Sequence, residues 1–197
     1  MLARMTDVTE SDDALPERSF GWWDMWVGPA EDPRSDGGYV GELATLVGYL
    51  SDQRLTFEMK CADLDAEAMA RRSVPPSNLS LLGLLRHLAG VEQGWFRRVM
   101  AGQDVPRHYR TEADPNGDFD GAVPDPAVVA EAWATWRSEV AFAERFVDEA
   151  PSLDIIGNGA DEPIALRELL VHMIEEYARH NGHADFLRER IDGRVGQ

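Results

Sequence analysis

A chain of 197 residues, 44% hydrophobic and 28% charged, has the size and composition of one domain, large enough to bury about 70% of the surface its unfolded form exposes. Its net charge of −17, from 36 acids against 19 bases, argues against nucleic acid or an anionic membrane surface, either of which would repel it. The single Cys61 cannot pair within the chain and fits a reducing cytosol, no apolar run approaches the roughly 20 residues of a membrane span, and the acidic amino terminus lacks the apolar core of a secretory signal.

In chain order, residues 1–37 read as an irregular acidic extension and 38–193 as the folded bundle. About 15 residues at the amino terminus are expected to be disordered. The island Phe20-Gly-Trp-Trp-Asp-Met-Trp26 should not stay in water; it is expected to pack on the outside of the bundle, a lid over a ligand pocket being the sharper reading. From Tyr39 to Leu64, Leu43, Leu46, Val47, Leu50, Phe57 and Cys61 recur at helical spacing and predict helix one. Arg71-Arg-Ser-Val-Pro-Pro interrupts the pattern, and Ser80 is placed to cap helix two. Its stripe comprises Leu81, Leu84, Leu85, Leu88, Val91, Trp95 and Val99, with Gly102 just past the end.

Residues 103–125 hold six acids with several Pro and Gly and no periodicity. A solvated, mobile loop dispensable for metal binding is expected there. Helix three runs from Pro126, suited to a first-turn position, through Val129, Trp133, Trp136, Val140, Phe142 and Val147 to Pro151. Helix four runs from about Pro163 to Ile191 with Leu166, Leu169, Leu170, Met173, Leu187 and Ile191 on its apolar face. No strand signal competes. The fold class is therefore all-α, a four-helix bundle, which often houses metal in its core.

The stretch His172-Met-Ile-Glu-Glu-Tyr-Ala-Arg-His180-Asn-Gly-His183 carries three of the five histidines. At about 100° per residue, His180, His183 and His172 lie about +40°, −20° and −40° from Glu176, so all four share one arc. On helix two, His87 falls between Leu84 and Val91 on the apolar side. An inward carboxylate is costly unless paired or coordinated. Two imidazoles with one carboxylate suit a divalent ion, zinc first and nickel, manganese or iron as alternatives, while leaving coordination positions open. Spacing alone leaves the pairs 172/176, 176/180 and 180/183 all available, with His172 and His183 as alternative or supporting ligands. Cys61 lies on helix one's apolar stripe and reads as core. His108 reads as an ordinary loop residue. Asp114-Pro-Asn-Gly-Asp-Phe-Asp120 is not a calcium loop, because Phe119 stands where that loop needs Gly.

The blocks Ser80-Leu-Leu-Gly-Leu-Leu-Arg-His-Leu-Ala and His172-Met-Ile-Glu-Glu-Tyr-Ala-Arg-His-Asn-Gly-His-Ala-Asp resemble the DinB-like superfamily, and within it the actinobacterial branch related to mycothiol-dependent maleylpyruvate isomerase. The resemblance covers about residues 38 to 193. It implies a four-helix bundle with a metal held by one His of helix two and two ligands a turn apart on helix four. Many members use His at both helix-four positions and the isomerase type uses Glu then His; here the matching positions are His87, Glu176 and His180. Eighteen of the 19 bases are Arg, a skew in keeping with GC-rich coding.

The activity so implied is a metal-dependent thiol S-transfer, or a thiol-dependent isomerisation, with mycothiol as cosubstrate and a small electrophile as its partner. Arg179, Arg86 and Asn181 are candidates to hold such a sugar-bearing thiol. Metal ligands are shared among members of differing activity, so a non-catalytic metal-binding or stress-associated bundle is the alternative. The expected location is cytoplasmic, and the expected partners are a small molecule and at most a second copy of the chain in a homodimer.

Overall fold

The computed structural model describes residues 32–34, 37–157 and 162–196. The Trp-rich island and the first 15 residues, expected respectively to pack on the bundle and to be disordered, lie outside the described residues. In chain order the helices are α1 (Glu42–Cys61), α2 (Ala66–Ala70), α3 (Leu81–Glu92), α4 (Gly117–Asp120), α5 (Pro126–Glu149) and α6 (Leu166–Asp192). The four long ones make an all-α bundle in which α1 packs on α6, and α3 packs on both α5 and α6. No helix among the described residues is long and apolar enough to cross a membrane.

Local chemistry sets the helix ends. Ser80 Oγ accepts from the Gly83 N–H at 3.0 Å and Asp125 Oδ1 accepts from Ala127 N–H at 2.8 Å, each satisfying a donor that lacks an intrahelical partner. Gly193 ends α6 in the left-handed conformation at φ 82°. Leu81, Leu84, Leu85 and Leu88 are fully buried, and so are Leu166, Leu169 and Met173, as their spacing predicts. Cys61 is buried too, and burial pushes its thiol pKa up, as suits a core residue rather than a nucleophile.

Several elements depart from the sequence reading. Helix one stops at Cys61; Asp63 turns the chain at φ 61°, and Asp65 then caps the unexpected α2 through the Ala68 N–H at 2.9 Å. On α1, Leu43 and Val47 are 47% and 38% exposed, so only the later part of that stripe is core. A two-residue antiparallel pair, Ile156–Gly157 with Ile164–Ala165, precedes α6 where no strand was expected. No side chain caps α6, and its Leu166 and Arg167 N–H groups find the Ile155 and Leu153 carbonyls at 3.0 and 3.1 Å instead.

The larger departure follows Glu92, where α3 continues as a π-helix, Gln93–Met100, with the Ala101 N–H donating to Phe96 O at 3.0 Å. Glu92, Gln93 and Phe96 take the buried face, while Val91 and Trp95 pack only at the edge of the core and, with Val99, line a surface cavity. Glu92 is fully buried. Arg54 of α1 donates to both its oxygens at 2.8 Å, Tyr177 of α6 donates to Oε1 at 2.7 Å, and Trp136 of α5 donates to the Tyr177 hydroxyl at 2.8 Å. One carboxylate thus ties all four long helices.

Removing one partner of a buried charge pair strands the other, typically at about 3–5 kcal/mol. Glu92→Ala should lower the stability measured by urea unfolding by that amount, and the double variant Arg54→Met with Glu92→Leu should recover most of the loss. A loss under about 1 kcal/mol for Glu92→Ala would mean that the network does not hold the bundle.

Candidate metal centre

Helices α3 and α6 bring three side chains together. His87 Nε2 lies 3.3 Å from Glu176 Oε1, His180 Nε2 lies 3.3 Å from the same oxygen, and one donor atom from each of the three falls within 4.8 Å of the others. Tyr177, anchored to Glu92, is the next residue after Glu176, so the buried network fixes the rotation of α6 that turns both donors towards α3. Of the pairs that spacing left available, 176/180 is the one joined to His87.

Around this point lone pairs outnumber protons. His87 Nδ1 is 2.9 Å from Asp118 Oδ2, so the ring faces a carboxylate on each side, and a neutral imidazole has only one N–H to offer. Burial opposes a charge on His87, yet hydrogen bonding to Asp118 and Glu176 outweighs it, and the pKa is raised above the ordinary imidazole value. Hydrogen bonds from His180 and then His87 hold the Glu176 carboxyl well below the usual carboxylate range. The cluster favours positive charge at its centre, from protons or from a cation.

Asp118 comes from the loop that composition marked as solvated and dispensable. That expectation is corrected for residues 117–120: they form α4, and Gly117 and Asp118 are buried. Phe119 stacks on the His87 ring with centroids 5.2 Å apart. Gly83 makes the approach possible, since a Cβ there would lie 3.0 Å from the Phe119 ring and 3.2 Å from Ser80 Oγ. The signal in the sequence was Phe119 itself, a large apolar residue amid acids.

The remaining expected site residues are not among the three converging donors. Arg86 donates to the Asp118 and Gly117 carbonyls, both at 2.9 Å, and its guanidinium sits 4.0 Å from the centre of the Tyr109 ring, so it holds the loop rather than offering donors at an open mouth. Asn181 is buried and donates to Gln53 O and Oε1 at 3.0 and 2.8 Å; at about 140° round the helix from Glu176 it pins α6 to α1. Arg179 is exposed on α6. His172 packs edge-on against Trp95, and His183 Nδ1 lies 3.3 Å from His180 Nδ1, which puts His183 behind a ligand candidate. His108 has partners that composition did not reveal: its Nε2 lies 3.0 Å from Glu139 Oε1 and 3.0 Å from Gln93 Nε2.

Comparison with known proteins adds three findings. The family model described as Mycothiol-S-transferase matches residues 45–193. No curated protein matches the chain. A crystal structure titled as the conserved protein of locus from Enterococcus faecalis superposes with a TM-score of 0.51 at 16% identity, over 74% of this chain and 94% of that one, a likeness of fold alone.

Docking of the 117–120 segment through Asp118 is directly testable. A hydrogen bond involving a charged group is worth about 1.5–3 kcal/mol, so chymotryptic cleavage after Phe119 should be slow in the native protein and at least about ten-fold faster in Asp118→Ala. Equal cleavage rates in the two proteins would show that Asp118 does not hold the loop.

Proposed function

This chain belongs to the mycothiol-S-transferase family of the DinB-like superfamily, and on that premise we propose that it is a metal-dependent enzyme transferring a low-molecular-weight thiol, mycothiol first, to a small electrophile. The observation that carries the reading is the meeting of two imidazole nitrogens and one carboxylate oxygen at 3.3 Å spacings. Both nitrogen–oxygen spacings match the edge of a tetrahedron with bonds of about 2.0–2.1 Å, roughly 3.3–3.4 Å, as zinc adopts with nitrogen and oxygen donors, and all three donor atoms lie within 4.8 Å of one another. His87, Glu176 and His180 are the proposed ligands, with zinc the first choice and nickel, manganese or iron the alternatives.

A divalent ion held there would supply Lewis acidity and the lowered pKa that makes a coordinated thiol a thiolate at neutral pH. The chain's own residues prepare that chemistry. With an ion bound, Asp118 Oδ2 would accept from His87 Nδ1–H, leaving the Nε2 lone pair for the ion and raising its basicity. Burial works against ionisation of Asp118, but its hydrogen bond with His87 overrides this and keeps its pKa below the ordinary value. Phe119 covers a face of the His87 ring, keeping water off that side and the imidazole in place. Three protein donors leave a fourth position for the thiol. In the overall transfer the S–H proton passes to solvent, an S–C bond forms, and the leaving group departs with its electron pair.

Elemental analysis of protein prepared without a His tag should give about one divalent ion per chain. His87→Ala with His180→Ala should abolish it, whereas Asp118→Ala should keep the site but weaken affinity by about 10–100-fold. The metal-loaded protein should consume mycothiol with monobromobimane faster than metal-stripped protein. If a broad panel of thiols and electrophiles reacts equally with both forms, transfer is excluded and the bundle is a metal-binding protein.

A further inference from the structure

Beside His87 and Asp118 lies a cavity of about 280 Å³ between the cavity-facing side of α3 and its π-helical extension and the following loop. Four arginines, Arg86, Arg98, Arg107 and Arg110, line it, and Asp118 is the only carboxylate in its wall. That carboxylate lies 3.9 Å from Arg110 and is already engaged with His87. Arg98 bonds to the Val105 carbonyl at 2.6 Å and Arg86 to two carbonyls, so their charges are oriented without being neutralised. Among the described residues no carboxylate lies within 4.0 Å of Arg86, Arg98 or Arg107. In a chain of net charge −17 this is a local excess of positive charge. Acids stand behind the wall, Glu139 against His108 at 3.0 Å, Glu131 against Tyr109 at 3.1 Å and Glu176 against His87 at 3.3 Å, but none of the three lines the cavity, where four guanidinium groups face one carboxylate.

The rest of the wall mixes an apolar strip with the polar tips of His87, Gln93, His108 and Tyr109. Val91, Trp95 and Val99 face the cavity, and they are the residues whose helical spacing made them look like core. A flat apolar surface beside several guanidinium groups suits a small molecule with an apolar body and an oxyanion, which arginine grips through paired, charge-assisted hydrogen bonds. The volume sits at the small end of ligand pockets, roughly 300–1,000 Å³. Sugar hydroxyls of the thiol are neutral and gain less from concentrated charge, so the cavity fits the other reactant.

We propose that this cavity seats the electrophilic substrate, and that the substrate is a small organic acid whose carboxylate or equivalent oxyanion is held by Arg98, Arg107 and Arg110 while its apolar body lies on Trp95. This rests on the S-transfer reading above and adds the chemical class of the electrophile. With an aryl chloride as model, the thiol sulfur bonds to the ring carbon, chloride leaves with the bonding electrons, and the thiol proton passes to solvent.

Two measurements separate the claims. Calorimetric titration of the metal-loaded protein, without thiol, compares 3-nitrobenzoate with 3-nitrobenzamide, isosteres differing in charge. Kinetics with mycothiol compares 4-chloro-3-nitrobenzoate with 4-chloro-3-nitrobenzamide, each rate divided by its uncatalysed rate. The acid should bind about ten-fold or more tightly than the amide, as loss of one charge-assisted pairing implies, and show the same preference in normalised kcat/KM. Arg98→Gln with Arg107→Gln should remove most of the preference, and Arg107→Gln alone, at an exposed residue, should reduce it with no change in melting temperature. Equal binding of acid and amide overturns the proposal, as does a preference that survives the double variant, because the carboxylate then sits elsewhere. Conjugation of both chlorides without preference leaves S-transfer standing and overturns the cavity assignment. Arginine-dependent binding of the acid without thiol consumption supports the cavity and removes the transfer reading.

Discussion

Everything in this bundle turns on one buried carboxylate. Glu92 would be prohibitively costly alone in the core; Arg54 and Tyr177 complete its hydrogen bonding, and Trp136 completes that of Tyr177. Apolar ridges permit helices to rotate and slide by small amounts at little cost, since hydrophobic contact is not directional. Hydrogen bonds to one carboxylate do not. Because Tyr177 follows Glu176, restricting α6 at that turn also restricts the direction in which Glu176 and His180 project. A polar knot in the core thereby sets the geometry of a polar cluster nearer the surface, as preorganised sites require.

Charge is distributed in the same purposeful way. Acids dominate the chain, yet several of its bases are spent internally. Lys60, the single lysine, is fully buried against Asp185, and Arg188 is buried with its guanidinium on the Lys60 and Ala62 carbonyls at 3.0 and 2.6 Å. These contacts join α1 to the far end of α6, and Arg188 is also paired with Asp192 at 2.8 Å, whereas Arg86 and Arg98 beside the cavity hydrogen-bond to carbonyls alone.

How far the sequence could be read depended on the kind of force involved. Periodic burial is a property of each helix alone, so the four helices, the Ser80 cap, the first-turn Pro126 and most of the Leu positions were legible. So was the trio His87, Glu176 and His180 as a convergent set, since angular spacing puts two on one face and the block around His87 supplies the third. What escaped depends on partners far along the chain. Val91, Trp95 and Val99 obey the same period as core residues but line a cavity, because the core face beyond Leu88 is taken by a charged residue whose neutralising partner lies 38 positions away. Asp118 looked like one acid among six, and only Arg86, Gly83 and His87, all on another helix, make it a docked one. Asn181 was a candidate to hold the thiol because it follows His180, but its rotation on α6 places it against Gln53.

The order in which these parts come into being follows from their positions. His87 and Glu176 are 89 residues apart, and two of the three converging side chains belong to the last helix. During synthesis, which proceeds from the amino terminus, a ribosome-bound chain with α6 still in the exit tunnel presents His87 and Asp118 but no cluster. Tyr177 arrives on the same helix, so Glu92 and Arg54 also wait for α6 before the core network is complete. Closure of the bundle and assembly of the site are then a single event that waits on α6, and a nascent chain has no means of capturing an ion at these residues before that helix arrives.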